Sequence, residues 1–232
     1  MRFSDLPERL REVRGRIDAA VQRGGHRQSV TVVAVTKTHG PEAAEAAWEA
    51  GLRDVGENRV QEALKKIDAV RAAVRWHLIG HLQRNKAKHV TRFDLVQSVD
   101  SSRLAEAVNE IGCQAGHPID VLLQVNVVGE ATKGGFALKT LRTEVEGERM
   151  HALTGLRIRG IMAMAPLDAD ERMLRRVFAG ARDARATLAA AGHDATELSM
   201  GMSNDFEVAV EEGATMVRLG TILFGARGQE TA

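Results

Sequence analysis

The chain has 232 residues, 44% of them hydrophobic and 27% charged, an ordinary globular composition that excludes global disorder and supplies enough apolar mass for a sizeable core. Thirty-two Lys and Arg against 31 Asp and Glu leave a net charge of +1, without the bulk positive charge of a protein that grips a phosphate backbone, so nucleic acid is not an expected partner. The one cysteine, Cys113, cannot form an intramolecular disulfide, and the opening MRFSDLPERL has no apolar signal core; both favour a reducing, cytoplasmic setting. No stretch approaches the ~18 apolar residues of a membrane span, so no membrane association is expected.

Taken along the chain, Leu10, Val13, Ile17 and Val21 recur at spacings of three and four, which predicts an amphipathic helix over 6–23 ended by Gly24-Gly25. Residues 29–36 (SVTVVAVT) form a β-branched run apolar on both faces, as expected of a parallel strand covered by helices, and Pro41 opens a helix through residue 50. The same alternation predicts strands near 53–56, 75–80, 94–99, 119–127, 157–164, 197–200 and 216–219, with helices over 60–70, 102–111, 138–153, 168–191 and 205–212. Eight β/α alternations without a long linker predict a closed (β/α)8 TIM barrel, residues 1–232 as a single domain with an extra N-terminal helix. The rival, an open doubly wound sheet, usually follows its first strand with a glycine-rich dinucleotide fingerprint. Here that strand runs into Val35-Thr36-Lys37-Thr38-His39-Gly40, and no G-x-G-x-x-G occurs.

Barrel chemistry sits at the C-terminal ends of the strands. Lys37 follows a mainly apolar strand, so its amine emerges among low-dielectric walls, where desolvation favours the uncharged form that condenses with aldehydes; the plain alternative is a first solvated residue after a strand. Residues 198–205 (LSMGMSND) and 217–225 (VRLGTILFG) pass from strand into glycine and hydroxyl residues, in the loops after strands seven and eight where barrels commonly hold a phosphate on backbone N–H groups. Ser203 or Asn204 is placed to cap the helix beginning at Asp205, and Thr221 the short helix after Gly220; capping alone is the plain alternative. GMSND lacks the final glycine of a G-x-S-x-G nucleophile elbow, which argues against a serine hydrolase. His77, inside an apolar strand, either packs on a flat ligand in the barrel or is a core residue. His77 and His81 lack the acidic or thiol partners of a metal shell. The basic stretch 84–92 (RNKAKHVTR) lacks the aromatics of an RNA-binding surface and reads as a solvated helix face.

The motifs VAVTKTHG at 33–40, VGENRVQEA at 55–63, WHLIGHLQRNKAK at 76–88, LLQVNVVGEATKGGF at 122–136, RGIMAMAP at 159–166, LSMGMSNDFEVAV at 198–210 and MVRLGTILFGAR at 216–227 resemble, in that order and over nearly the whole chain, the YggS/PROSC family of pyridoxal 5'-phosphate (PLP) homeostasis proteins. The resemblance implies a PLP-bearing barrel like the N-terminal domain of bacterial alanine racemase, without that enzyme's second, β-rich domain. It implies a Schiff base between PLP and Lys37, with Gly201, Met202, Ser203, Gly220 and Thr221 around the phosphate and Arg218 against the pyridine nitrogen. Asn58 would lie near the ring hydroxyl, and His77 and Met162 would be pocket walls. A guanidinium at the ring nitrogen keeps that nitrogen unprotonated and weakens the cofactor as an electron sink. Arg59 stands where relatives often have an aromatic and Met164 where they often have isoleucine or proline, departures expected to retune access only.

The implied function is to hold PLP without turnover, as a cytoplasmic monomer influencing vitamin B6 balance, with PLP-dependent apo-enzymes as candidate partners. The alternative is a PLP-dependent, amino-acid racemase-like enzyme. Racemisation by the related two-domain enzyme sets a lysine on one face of the substrate carbon and a tyrosine on the other; this chain contains no tyrosine, and the second domain is not expected in it. A Schiff-base aldolase acting on phosphosugars is a third reading, disfavoured by the motifs. Lys133, in the loop 129–136, offers a second amine.

Overall fold

In the computed structural model, which describes residues 3–129 and 134–225, the β-branched runs become strands β1 (Thr31–Val35), β2 (Asp54–Glu57), β3 (Arg75–Leu78), β4 (Leu95–Val99) and β5 (Ile119–Asn126). A two-residue β6 (Phe136–Ala137) is followed by β7 (Leu156–Ala163), β8 (Glu197–Ser199) and β9 (Met216–Leu219). All pairings are parallel, the neighbours run β4-β3-β2-β1-β9-β8-β7-β5, and β4 also pairs with β5. That last pairing closes an eight-strand ring, the expected (β/α)8 TIM barrel, while β6 attaches to β5 outside it. Lys133 lies outside the described residues, as do the other residues of 130–133.

The double-sided apolarity of the strands has a direct cause in two cores. Val32, Ala34 and Val55 face outward into the cluster shared with the helices, whereas Val33, Leu95, Leu122, Met162 and Met216 form a separate cluster inside the ring. Burial on both faces is what removes the polar alternation an exposed sheet would show.

The helices are α1 (Leu6–Gly24), α2 (Glu42–Glu49), α3 (Val60–Ala69), α4 (Ser102–Ala115), α5 (Leu138–Glu146), α6 (Glu148–His151), α7 (Glu171–Ala190), α8 (Phe206–Glu211) and α9 (Thr221–Phe224). In α1 Leu6, Leu10, Val13, Ile17 and Ala20 are buried, and Gly25, at φ 71°, ends the helix in a left-handed cap whose N–H reaches Val21 O, a conformation glycine adopts without a Cβ penalty. The expected helix over 138–153 is instead two helices, because Gly147 adopts extended geometry (ψ 144°) between α5 and α6. Arg84–Arg92 is a 3-10 helix whose Ala87 and Val90 face inward while Arg84 and Lys88 are exposed.

Helix α1 lies across α8 and α9, the two helices that follow the glycine-hydroxyl turns. Arg16 binds Glu207 at 2.6 Å and Arg23 binds Glu211 at 2.5 Å, while Arg9 donates to Leu223 O at 3.3 Å. Arg175 and Arg182 of α7 meet Glu211 and Glu212 at 2.7 Å from the other side. Single exposed ion pairs contribute about 0–1 kcal/mol each; this set links three elements around α8 and so fixes where its preceding turn points.

Candidate functional site

The C-terminal mouth begins at Thr36, whose every polar group is committed. Its N–H donates to Gly56 O at 3.2 Å, and its carbonyl accepts from His39 N at 3.1 Å. The same carbonyl takes Lys66 Nζ at 2.8 Å, and the hydroxyl donates to Glu57 Oε1 at 2.5 Å. Lys66 Nζ also binds Glu57 Oε1 at 2.6 Å, with both side chains buried. This clamp joins the ends of β1 and β2 to α3, directly behind Lys37. Thr38 then adopts φ 69°, rare for a β-branched residue and retained only where surroundings over-determine it. Lys37 lies in the turn directly after β1 and is half-buried.

Two turns stand on adjacent strands beside it. Gly201 follows β8 at φ 91°, and a Cβ there would come within 2.6 Å of Ala209 Cβ, so only glycine fits. Gly220 follows β9, 3.4 Å from Val35 O as measured from a Cβ built on it, which places this turn against the end of β1. Ser203 Oγ accepts from Ile222 N at 3.4 Å, tying the turns together. The backbone N–H groups of Ser203, Asn204, Gly220 and Thr221 have no protein acceptor among the described residues. Amides left unpaired at two neighbouring helix starts are the kind of donors that bind anions.

The expected caps differ. Asp205, rather than Ser203 or Asn204, occupies the cap position of α8, and its carboxylate turns back to accept Met202 N at 2.6 Å. Gly220 is the cap residue of α9, and Thr221 is its first helical residue, exposed and making no capping bond. The Asp205 carboxylate holds the turn from behind, Ser203 Oγ meets the first turn of α9 at Ile222 N instead of capping α8, and the Thr221 hydroxyl makes no capping bond. Burial raises the Asp205 carboxyl above its ordinary value, against the lowering pull of Met202 N–H and Arg218.

Beneath the mouth, Arg218 is buried. Its Nη1 donates to Ser199 Oγ at 2.7 Å and its Nη2 to Ala163 O at 2.9 Å. Burial pushes it down to about 10, opposed by Asp205, so it remains cationic at neutral pH. His77 and Met162 are both buried in the barrel interior; His77 is committed on both nitrogens, to Asp54 at 2.9 Å and Gln97 at 2.8 Å. Asn58 lies half-buried at the end of β2, its backbone against Gly80. The structure thus brings together the end of β1 at Lys37, the turns 201–203 and 220–221, and Arg218 below them, with His77 and Met162 deeper. No local sequence pattern gives the roles of Thr36, Lys66 and Gln97, nor the contacts that Glu57, Ser199 and Asp205 make.

Comparison with known proteins adds to this geometry. Residues 9–228 match the family described as "Alanine racemase, N-terminal domain". The chain is 41% identical over 228 residues to a pyridoxal phosphate homeostasis protein of Pseudomonas aeruginosa, covering 97% of each chain. It is 39% identical over 224 residues to one of Aquifex aeolicus, covering 95% of this chain and 97% of that one. The chain belongs to the pyridoxal phosphate homeostasis protein family. The solved structure of PipY from Synechococcus elongatus with PLP bound superposes on this family member with a TM-score of 0.83 at 38% identity, covering 95% of this chain and 100% of that one. Among the described residues no helix is long and apolar enough to cross a membrane.

Proposed function

We propose that this family member holds PLP at the C-terminal mouth of its barrel as a Schiff base on Lys37, without steady catalytic turnover. The observation that carries the reading is the juxtaposition of the clamped end of β1 with two turns whose amides at Ser203, Asn204, Gly220 and Thr221 have no protein acceptor among the described residues. A phosphate dianion supplies what four such donors require, and a lysine amine supplies what an aldehyde requires. Gly201, Met202, Ser203, Gly220 and Thr221 hold the phosphate, and Arg218 faces the ring nitrogen. Asn58 lies near the ring hydroxyl, and His77 and Met162 shape the floor. PLP when bound supplies an aldehyde and an electron sink; the guanidinium withholds the proton that would strengthen that sink.

The sequence holds no tyrosine, so the group that serves the related racemase as its second base is missing. A single-domain, monomeric carrier in the cytoplasm that exchanges PLP with apo-enzymes is the role that fits. Titration of the apo-protein with PLP tests it: a visible absorption band should saturate in the wild type and be lost in Lys37→Ala, and D- or L-alanine should not racemise at a rate proportional to protein. A wild type that takes no PLP overturns the reading, and proportional racemisation overturns the carrier role.

A further inference from the structure

The mouth is joined to the opposite rim of the barrel by a continuous line of buried hydrogen bonds. Arg218 Nη1 donates to Ser199 Oγ at 2.7 Å, and the Ser199 hydroxyl donates to Gln97 Oε1 at 2.7 Å. Gln97 Nε2 donates to His77 Nδ1 at 2.8 Å, and His77 Nε2 donates to Asp54 Oδ1 at 2.9 Å. Asp54 is in turn gripped by both Nε and an Nη of Arg75, at 2.8 and 2.6 Å. Ser199, Gln97, His77 and Asp54 are all buried.

Direction is the informative feature. Because Ser199 Oγ already accepts from a cation, its own proton goes to the Gln97 oxygen; that fixes the Gln97 amide with its NH2 toward His77, and fixes the His77 proton on Nε2, facing Asp54. Every donor therefore points from Arg218 toward Asp54, from a cation to an anion, with no partner left over in between. Hydrogen bonds aligned in series polarise one another, and a fully satisfied buried network selects one arrangement of its members. The far end is the Asp54–Arg75 pair, which lines a cavity of about 690 Å³ at the N-terminal rim together with Arg14 and Arg53.

We infer that Ser199, Gln97, His77 and Asp54 are positioning residues for Arg218, fixing its guanidinium beneath the mouth from as far away as the Asp54–Arg75 pair on the opposite rim. The inference rests on the proposed PLP site for its consequence, since a fixed guanidinium sets the environment of the ring nitrogen, but the anchoring itself is a property of the ligand-free protein. Two readouts separate these. In the apo-protein, the signal of the Arg218 Nη1–H donated to Ser199 Oγ should be sharp and slow to exchange in a nitrogen-15 NMR spectrum. In Ser199→Ala and Gln97→Leu it should exchange about tenfold faster, the equivalent of one lost hydrogen bond. In the PLP-loaded protein the same variants should change the absorption spectrum of the bound cofactor and weaken its retention roughly threefold to tenfold. Arg75→Ala, an exposed substitution at the far rim, should move both readouts in the same direction by less.

Variants that melt at lower temperature yet keep the wild-type Arg218 signal and cofactor spectrum would show that the line only fills the barrel, and would overturn the inference. If Gln97→Leu does not fold, Ser199→Ala, which removes one atom, decides. If the wild type takes no PLP, the proposed function fails while the apo-protein signal still decides the anchoring.

Discussion

Replacing Lys66 by methionine isolates the clamp behind Lys37. Lys66 Nζ lies 2.6 Å from Glu57 Oε1 and 2.8 Å from Thr36 O, and both charged side chains are almost wholly buried, at 7% and 0% exposure. Methionine keeps the apolar length but strips the positive charge, leaving the Glu57 carboxylate with the Thr36 hydroxyl as its remaining partner; the other oxygen, Oε2, is already unpartnered among the described residues. Breaking a buried ion pair on one side costs about 3–5 kcal/mol, whereas replacing both partners by apolar groups of similar volume is often neutral. Lys66→Met alone should therefore lower stability by about 3–5 kcal/mol, and Lys66→Met with Glu57→Leu should regain most of that loss. At about 2–4 °C per kcal/mol for a domain of this size, the single variant should melt at least about 6 °C below the wild type. Denaturant unfolding of the wild type, both single variants and the double variant completes the cycle. A single variant within about 1 kcal/mol of the wild type, or a double variant as unstable as Lys66→Met, would refute the reasoning.

Ser203→Ala should weaken PLP retention by about 1–2 kcal/mol, through loss of a hydroxyl to the phosphate and of the Ile222 N acceptor, with circular dichroism unchanged; unaltered retention would assign that hydroxyl to the turn alone. Gly201→Ala forces a side chain into φ 91° and against Ala209, so unfolding should show at least about 1–3 kcal/mol of lost stability; full stability would contradict the close approach. For His193, burial lowers the imidazole below 6.5, aided by the charge of His151 and opposed by the hydrogen bond to Val145. A base depressed in the folded state binds fewer protons than when unfolded, so its stabilising contribution is complete above pH 6.5 and is lost as pH falls through the folded value. The stability of His193→Gln should therefore decline less between pH 7 and 5 than that of the wild type, and parallel curves would show that His193 does not titrate as described.

How much of this was legible in sequence follows from the range of the signals. The strands could be read because Val32 to Val35 are apolar on both faces, which reflects the two cores directly. The split of the 138–153 helix escaped because Gly147, one residue, outweighs the helical periodicity around it. Capping was misread at Ser203, Asn204 and Thr221 because Asp205 and Gly220 compete for the same positions and only the backbone decides. The clamp joins residues 36, 57 and 66 across three elements, and the interior line joins residues 54, 77, 97, 199 and 218 across five strands. No local pattern carries such contacts. One signal was nonetheless present: Gln97 in LVQSV, Ser199 in ELS and Arg218 in MVRL are polar residues inside strands that are otherwise apolar, and a buried polar side chain implies a buried partner.

The central claim concerns one amine, and trapping it is the most direct measurement. Borohydride reduction of the PLP-loaded protein, followed by peptide mass mapping, should find the pyridoxyl group on the peptide containing Lys37 and on no other at stoichiometric loading. A label carried mainly by another lysine, or none at all on a protein that visibly binds PLP, would contradict the account.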